Sequence, residues 1–211
     1  MKEYLTLLND DMTETLVEEP QSENGFTYAD YLHWNFKERI ELIKGKIFKM
    51  SPAPTIDHQR ILGKIHLFLG TKLKHTPCEI FVAPVDVKLI GEPFKRRKIK
   101  EDEIFTVVQL DLIVVCDVSK MEGLKALDGA PEMVIEILSL GNTKTETKYK
   151  KELYEENGVL EYWAVHPAYK YVEVFLMEGS RFASSIIYEM EDEISCTVLK
   201  GITVPVNEIF K

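Results

Sequence analysis

Two apolar runs, Val107-Val-Gln-Leu-Asp-Leu-Ile-Val-Val-Cys116 and Met133-Val-Ile-Glu-Ile-Leu138, govern how the chain folds. Both are rich in β-branched residues and almost continuously apolar, the composition of strands buried on both faces. Each is interrupted by one acid, Asp111 in the first and Glu136 in the second. An unpaired ionised carboxylate taken out of water costs at least several kcal/mol. Each acid therefore needs a cation, a proton or a place at the sheet's edge. Side-chain alternation puts Gln109 and Asp111 on one face of the first strand, and Val134, Glu136 and Leu138 on one face of the second. If the strands are neighbours, two carboxylates and an amide converge.

Outward from these runs the pattern alternates strand with helix. Thr143 to Asn157 is periodic and polar, closed by Gly158 as a helix stop. Leu160–Val165 follows as a further strand. Upstream, Ile61, Leu62, Ile65, Leu69 and Leu73 recur at three- and four-residue steps, which predicts an amphipathic helix over 57–74. Thr27 caps a short helix, Tyr28 to Asn35, and two β-rich runs straddle Lys44-Gly45 as a hairpin. Glu79–Val82 and Val85–Ile90 read as short strands, and the stretch from Gly91 to Thr106 as a long loop. Tyr171–Met177, Arg181–Tyr188 and Ile194–Leu199 read as a meander of edge strands. The economical architecture is one α/β domain, residues 25–211, with a mixed β-sheet flanked by helices. Residues 1–24 precede it as an acidic, non-periodic arm.

Composition narrows the function classes. The 211 residues carry 26 Lys and Arg against 35 Asp and Glu, a formal net charge of −9, and the arm alone has seven acids against Lys2. That sum disfavours a polyanion as partner. Its distribution does not, because Lys95, Arg96, Arg97, Lys98 and Lys100 form a basic cluster inside the long loop. Such a cluster reads as a solvated loop or as a set of phosphate contacts. Cys78, Cys116 and Cys196 contain no CxxC pair and suit neither a disulfide framework nor a zinc knuckle, so a reducing cytoplasm is the natural setting. The opening Met-Lys-Glu-Tyr-Leu-Thr has no cationic lead into an apolar stretch. No run approaches the roughly 18 apolar residues of a membrane span. GxSxG, GxxxxGK[ST] and GxGxxG are all absent, which sets aside serine hydrolases, P-loop NTPases and dinucleotide oxidoreductases.

Two carboxylates on rigid strands, with positions left for water and substrate, are what Mg²⁺ or Mn²⁺ takes as ligands. Such a metal polarises a phosphodiester and activates water. Lys150, fourteen residues beyond Glu136 on the next helix, is placed to supply an ammonium beside the reacting phosphate. The same sequence is compatible with simpler arrangements. Asp111 and Glu136 could form structural salt bridges or strand-end caps, and Glu146 with Lys150 is an ordinary i, i+4 pair on a helix face. Glu41 could be a third carboxylate or the outward member of a hairpin strand. His58, at a helix start, reads as a capping or surface residue.

Several ordered motifs resemble the restriction-endonuclease-like family of the PD-(D/E)xK nuclease superfamily. They are Phe105-Thr-Val-Val-Gln-Leu-Asp-Leu-Ile-Val-Val-Cys-Asp117, Gly129-Ala-Pro-Glu-Met-Val-Ile-Glu-Ile-Leu-Ser139, Lys150-Lys-Glu-Leu-Tyr154 and Gly158-Val-Leu-Glu-Tyr-Trp-Ala-Val-His-Pro167. The resemblance implies a restriction-endonuclease-like mixed sheet and cleavage of DNA phosphodiesters with Mg²⁺ or Mn²⁺. Asp111 and Glu136 would be metal ligands, Lys150 would assist the attacking water, and Glu41 would complete the site with Gln109 in support. Two positions depart from the superfamily pattern. Leu110 stands where its proline would be, and Leu138 where its lysine would be; Lys150 matches the lysine that this family takes from the following helix. A homodimer is compatible with cutting two strands. The alternative reading is a catalytically silent nuclease fold acting as a DNA-binding or protein-interaction module.

Overall fold

The computed structural model describes residues 4–8, 14–18, 23–34, 36, 39–50, 53–91, 99–122, 125–139 and 144–211, with backbone alone at 4–8, 14–18 and 144–146. The chain divides into two compact units, Met1–Pro52 with Lys88–Val108, and Ala53–Val87 with Gln109–Lys211.

In the first unit, β1 (Tyr4–Leu8) and β2 (Glu14–Glu18) pair antiparallel within the acidic arm, in the backbone register Leu5↔Val17 and Leu7↔Thr15. This ladder departs from the non-periodic, strand-free reading of residues 1–24. Helix α1 (Tyr28–Tyr31) is shorter than expected and starts in a capping box, with Thr27 and Asp30 bonding each other's backbone N–H. The hairpin of β3 (Ile40–Ile43) and β4 (Lys46–Lys49) forms as read. Lys44 and Gly45 both have positive φ (50° and 74°), the turn whose twist matches that of the strands. A side chain at Gly45 would sit 2.2 Å from the Asn24 carbonyl oxygen, so this turn admits glycine alone. Leu42 pairs with Val107, and the Gly45 N–H donates to the Phe105 carbonyl at 2.8 Å.

The second unit begins with α2 (Ile56–Leu73), followed by β5 (Glu79–Val82) and β6 (Asp86–Lys88). The expected strand over 107–116 is two strands, β7 (Val107–Gln109) and β8 (Leu112–Val115), separated at Leu110-Asp111. Then come β9 (Ala126–Asp128), β10 (Met133–Ile137), α3 (Lys144–Glu156) and β11 (Glu161–His166), with Gly158 (φ 78°) closing α3. The meander is β12 (Tyr171–Glu178), β13 (Arg181–Phe182), β14 (Ile186–Tyr188), β15 (Glu193–Ser195) and β16 (Thr203–Pro205), before α4 (Val206–Phe210). Seven of these strands form a mixed sheet in the order β13-β12-β11-β10-β8-β5, with β14 also on β12. Strands β10 and β11 run parallel, joined by α3 as the crossover; the other pairings are antiparallel. The expected α/β fold with a mixed sheet is present.

The core of this unit lies on one sheet face, where Ile61, Leu62, Ile65 and Leu69 of α2 meet Leu112, Val114, Met133, Ile135 and Trp163. Helix α3 serves the opposite face, where Tyr154 packs edge-on against Tyr162 with ring centroids 5.0 Å apart. On the α2 side, sharing a strand face with Trp163, Glu161 is fully buried, yet it accepts bonds from Trp163 Nε1 at 2.7 Å and from the Thr197 and Val198 N–H groups, both at 2.8 Å. The expectation of unpaired cysteines is corrected: Cys78 and Cys116 are joined by a disulfide. Glu79 pairs with Val115 across β5 and β8, so the next residue outward on each strand, Cys78 and Cys116, stands opposite the other. Cys196 is buried and free. Among the described residues, no helix is long and apolar enough to cross a membrane.

Candidate active site

Strands β8 and β10 are neighbours, in the register Met133↔Val114, Val134↔Ile113, Ile135↔Leu112. Carried one step further, the same register sets Asp111 opposite Glu136, while their side chains are held by different helices, Asp111 by His58 of α2 and Glu136 by Lys150 and Tyr154 of α3. Asp111 sits at the break between β7 and β8, where an interruption of a strand re-aims a side chain. Its carbonyl accepts from the Ala83 N–H at 3.1 Å. Its Oδ2 accepts from the Ile137 N–H at 2.9 Å, replacing the main-chain acceptor that a continuing ladder would offer. His58 Nε2 lies 3.1 Å from the same oxygen. Burial pushes the Asp111 carboxyl upward. The hydrogen bonds from His58 and Ile137, with the charges of His58 and Lys150, outweigh burial and hold it below the usual aspartate range.

Glu136 is gripped from the other face. Tyr154 donates to its Oε1 at 2.6 Å, and Lys150 Nζ lies 3.2 Å from Oε2. The Glu136 side chain is 6 % exposed and that of Lys150 20 %. Lys150 and Tyr154 stand one turn apart on α3, so one helix face delivers both donors. The salt bridge that would satisfy a buried Glu136 is thus made by the lysine that the resemblance assigns to the reaction.

The remaining candidates are placed as follows. Gln109 is held by Asp86, its amide donating to Oδ1 at 2.8 Å. Glu41 belongs to the first unit, buried on β3. Lys95, Arg96, Arg97 and Lys98 lie outside the described residues, as does the side chain of Glu146; Lys100 is exposed, and its N–H donates to Glu103 at 3.1 Å. The reading of His58 as a capping or surface residue is corrected. Thr55 provides the cap, accepting from the His58 N–H at 3.2 Å, and the imidazole turns inward to Asp111. The sequence does carry a signal for it: His58 stands three and four residues before the buried Ile61 and Leu62, on their side of α2. Tyr154 carries the corresponding signal, four residues after Lys150.

The donor chemistry suits a hard divalent cation. Both bonds to Asp111 end on Oδ2, which leaves Oδ1 without a bonded partner among the described residues. Glu136 adds two further oxygens. Among the described residues no group of three or more His, Cys, Asp or Glu side chains is placed to hold a metal. A pair of carboxylates with water completing the shell is the sparse set that Mg²⁺ accepts.

The family Uma2, described as "Putative restriction endonuclease", matches residues 28–207. The chain belongs to the Uma2 family. The fold of this Uma2 protein is similar to that of a crystal structure described as a putative nuclease belonging to DUF820 from Anabaena variabilis. The TM-score is 0.68 at 17 % identity, covering 88 % of this chain and 97 % of the other. No curated protein matches this Uma2 sequence.

Proposed function

We propose that the protein is a metal-dependent endonuclease that hydrolyses DNA phosphodiesters with Mg²⁺ or Mn²⁺ held by Asp111 and Glu136. The observation that carries this reading is the pair of carboxylates at adjoining ends of β8 and β10, each fixed by its own donors. A bound divalent ion would polarise the scissile phosphate and lower the pKa of water. The chain's own part is positional and electrostatic. Asp111 and Glu136 are held rigid on strands, and Lys150 offers an ammonium to charge that builds up on the phosphate and to the attacking water. Gln109, fixed by Asp86, supports the strand end that carries Asp111. Glu41 enters on the family resemblance alone. The basic residues Lys95, Arg96, Arg97, Lys98 and Lys100 contact phosphates without reading sequence. A homodimer, each copy cutting one strand, belongs to the same reading, and sedimentation checks it; the cytoplasmic location expected from unpaired cysteines loses that support with the Cys78–Cys116 bond, and cell fractionation tests it separately.

Purified protein with supercoiled plasmid and Mg²⁺ or Mn²⁺ should nick or linearise it. D111A and E136A should each lose more than the roughly 10–100-fold that an outer-shell change costs, and E41A tests the third acid separately. Equal cleavage by wild type and both single mutants would trace the activity to a contaminant. DNA binding without cleavage would favour the non-catalytic module.

A further inference from the structure

We infer that His58 is the positioning residue of Asp111: its imidazole pins Oδ2, so that Oδ1 is the oxygen presented to a divalent cation. This rests on the metal-dependent reading above. Three observations converge on it. Nε2 lies 3.1 Å from Oδ2, the oxygen already bonded by the Ile137 N–H at 2.9 Å, so the carboxylate is fixed from two directions while Oδ1 takes neither bond. The imidazole is held in turn. Thr55 caps the backbone of His58, and Ile61, Leu62 and Ile65 seat the following turns of α2 in the core. The side chain is 13 % exposed, and Nδ1 is buried with no hydrogen-bond partner among the described residues.

A carboxylate only accepts, so Nε2 carries the N–H and donates it to Oδ2. A histidine present for packing alone would not leave a ring nitrogen buried and unpaired, since buried polar groups are otherwise bonded. The hydrogen bond to Asp111 offsets that loss and orients the ligand. Residues that orient a metal ligand typically change metal affinity or activity by about 10–100-fold when removed. His58 acts through Asp111 and is not itself a ligand, because Nε2 is spent on the carboxylate and a hard cation prefers oxygen.

Mn²⁺ binding to the full chain, read by the electron paramagnetic resonance of free Mn²⁺, tests this for wild type, D111A, H58L, H58F and H58Q. H58L should weaken Mn²⁺ binding by about 10–100-fold. H58Q, which returns an N–H near the Nε2 position, should restore most of it. In plasmid cleavage, the Mn²⁺ concentration for half-maximal rate should rise in H58L by more than the saturated rate falls. H58F keeps the ring volume without the donor and carries the test if H58L does not fold. Unchanged Mn²⁺ affinity in H58L and H58F, with affinity lost in D111A, overturns the inference and leaves the nuclease reading intact. Histidine nitrogen coupling in the Mn²⁺ spectrum that disappears in H58Q makes His58 a ligand and also overturns it. Wild type that binds no Mn²⁺ removes the metal-dependent reading and this inference together.

Discussion

Three buried or half-buried acids show how environment decides what a carboxylate does. Asp111 has its two donors on one oxygen and is held below the aspartate range. Glu161 accepts three bonds, but burial outweighs them and its carboxyl is raised above the glutamate value of 4.5. The two contribute to stability with opposite sign. The folded state binds the Glu161 proton more tightly than the unfolded chain does. That contribution is full below the ordinary glutamate value and is lost as pH rises through the raised one. The stability difference between wild type and E161Q should therefore shrink as pH rises. For Asp111 the contribution is full above the ordinary aspartate value of 3.8 and is lost as pH falls through the lowered one. The difference between wild type and D111N should grow as pH rises. Urea unfolding across a pH series measures both, and slopes of the same sign would contradict the assignment. The third acid, Glu136, depends on Tyr154. Y154F removes a hydrogen bond to a charged group and should cost about 1.5–3 kcal/mol, seen as a lower urea midpoint at unchanged m-value.

Among the elements, those legible in the sequence were set by local pattern. Helix α3 with Gly158, the β3–β4 hairpin and the apolar strand β10 all lie within a residue or two of their expected ends. Asp111, Glu136 and Lys150 were legible because acids inside apolar strands, and a lysine on the next helix, are local anomalies. His58 was not, since its partner is 53 residues away and one imidazole at a helix start resembles any other. The break at Leu110-Asp111 was hidden for a related reason: continuous hydrophobicity does not show where a strand changes neighbours. The cysteine pairing needed the register of β5 on β8, which composition does not contain. Thiol titration of the unfolded chain should find one free thiol without reductant and three with it, and three in both cases would refute the bond. Cys196 should stay unreactive in the native protein, because burial and the neighbouring Glu161 charge push its thiol up to about 12. Closing a 38-residue separation stabilises by no more than about 4 kcal/mol on loop entropy, the loss expected for a C78S/C116S variant. G45A places a methyl group against a backbone carbonyl at positive φ and should lower stability by more than the roughly 1–3 kcal/mol of backbone strain alone.

For the whole molecule, a net charge of −9 and a nucleic-acid substrate coexist only if charge is segregated. Screening over about 8 Å at physiological salt would let the basic segment 95–100 meet phosphates despite acids elsewhere in the chain. Neutralising Lys95, Arg96 and Arg97 should flatten the slope of log affinity against log salt by about 0.9 for each duplex phosphate that the segment no longer neutralises. An unchanged slope would remove that segment from DNA binding. Deleting the acidic arm should raise affinity for DNA if the arm competes for the same cations, and unaltered binding would dismiss that competition. The chain's two tryptophans fall one in each compact unit. Trp34 sits among the rings of Phe26, Tyr31 and Phe36, while Trp163 is fully buried on β11. Each indole is thus a built-in fluorophore for its own half of the chain. In W34F only the β11 side emits, and in W163F only the hairpin side. Coincident unfolding midpoints from the two variants would identify one cooperative body, and separated midpoints would identify two that melt in turn.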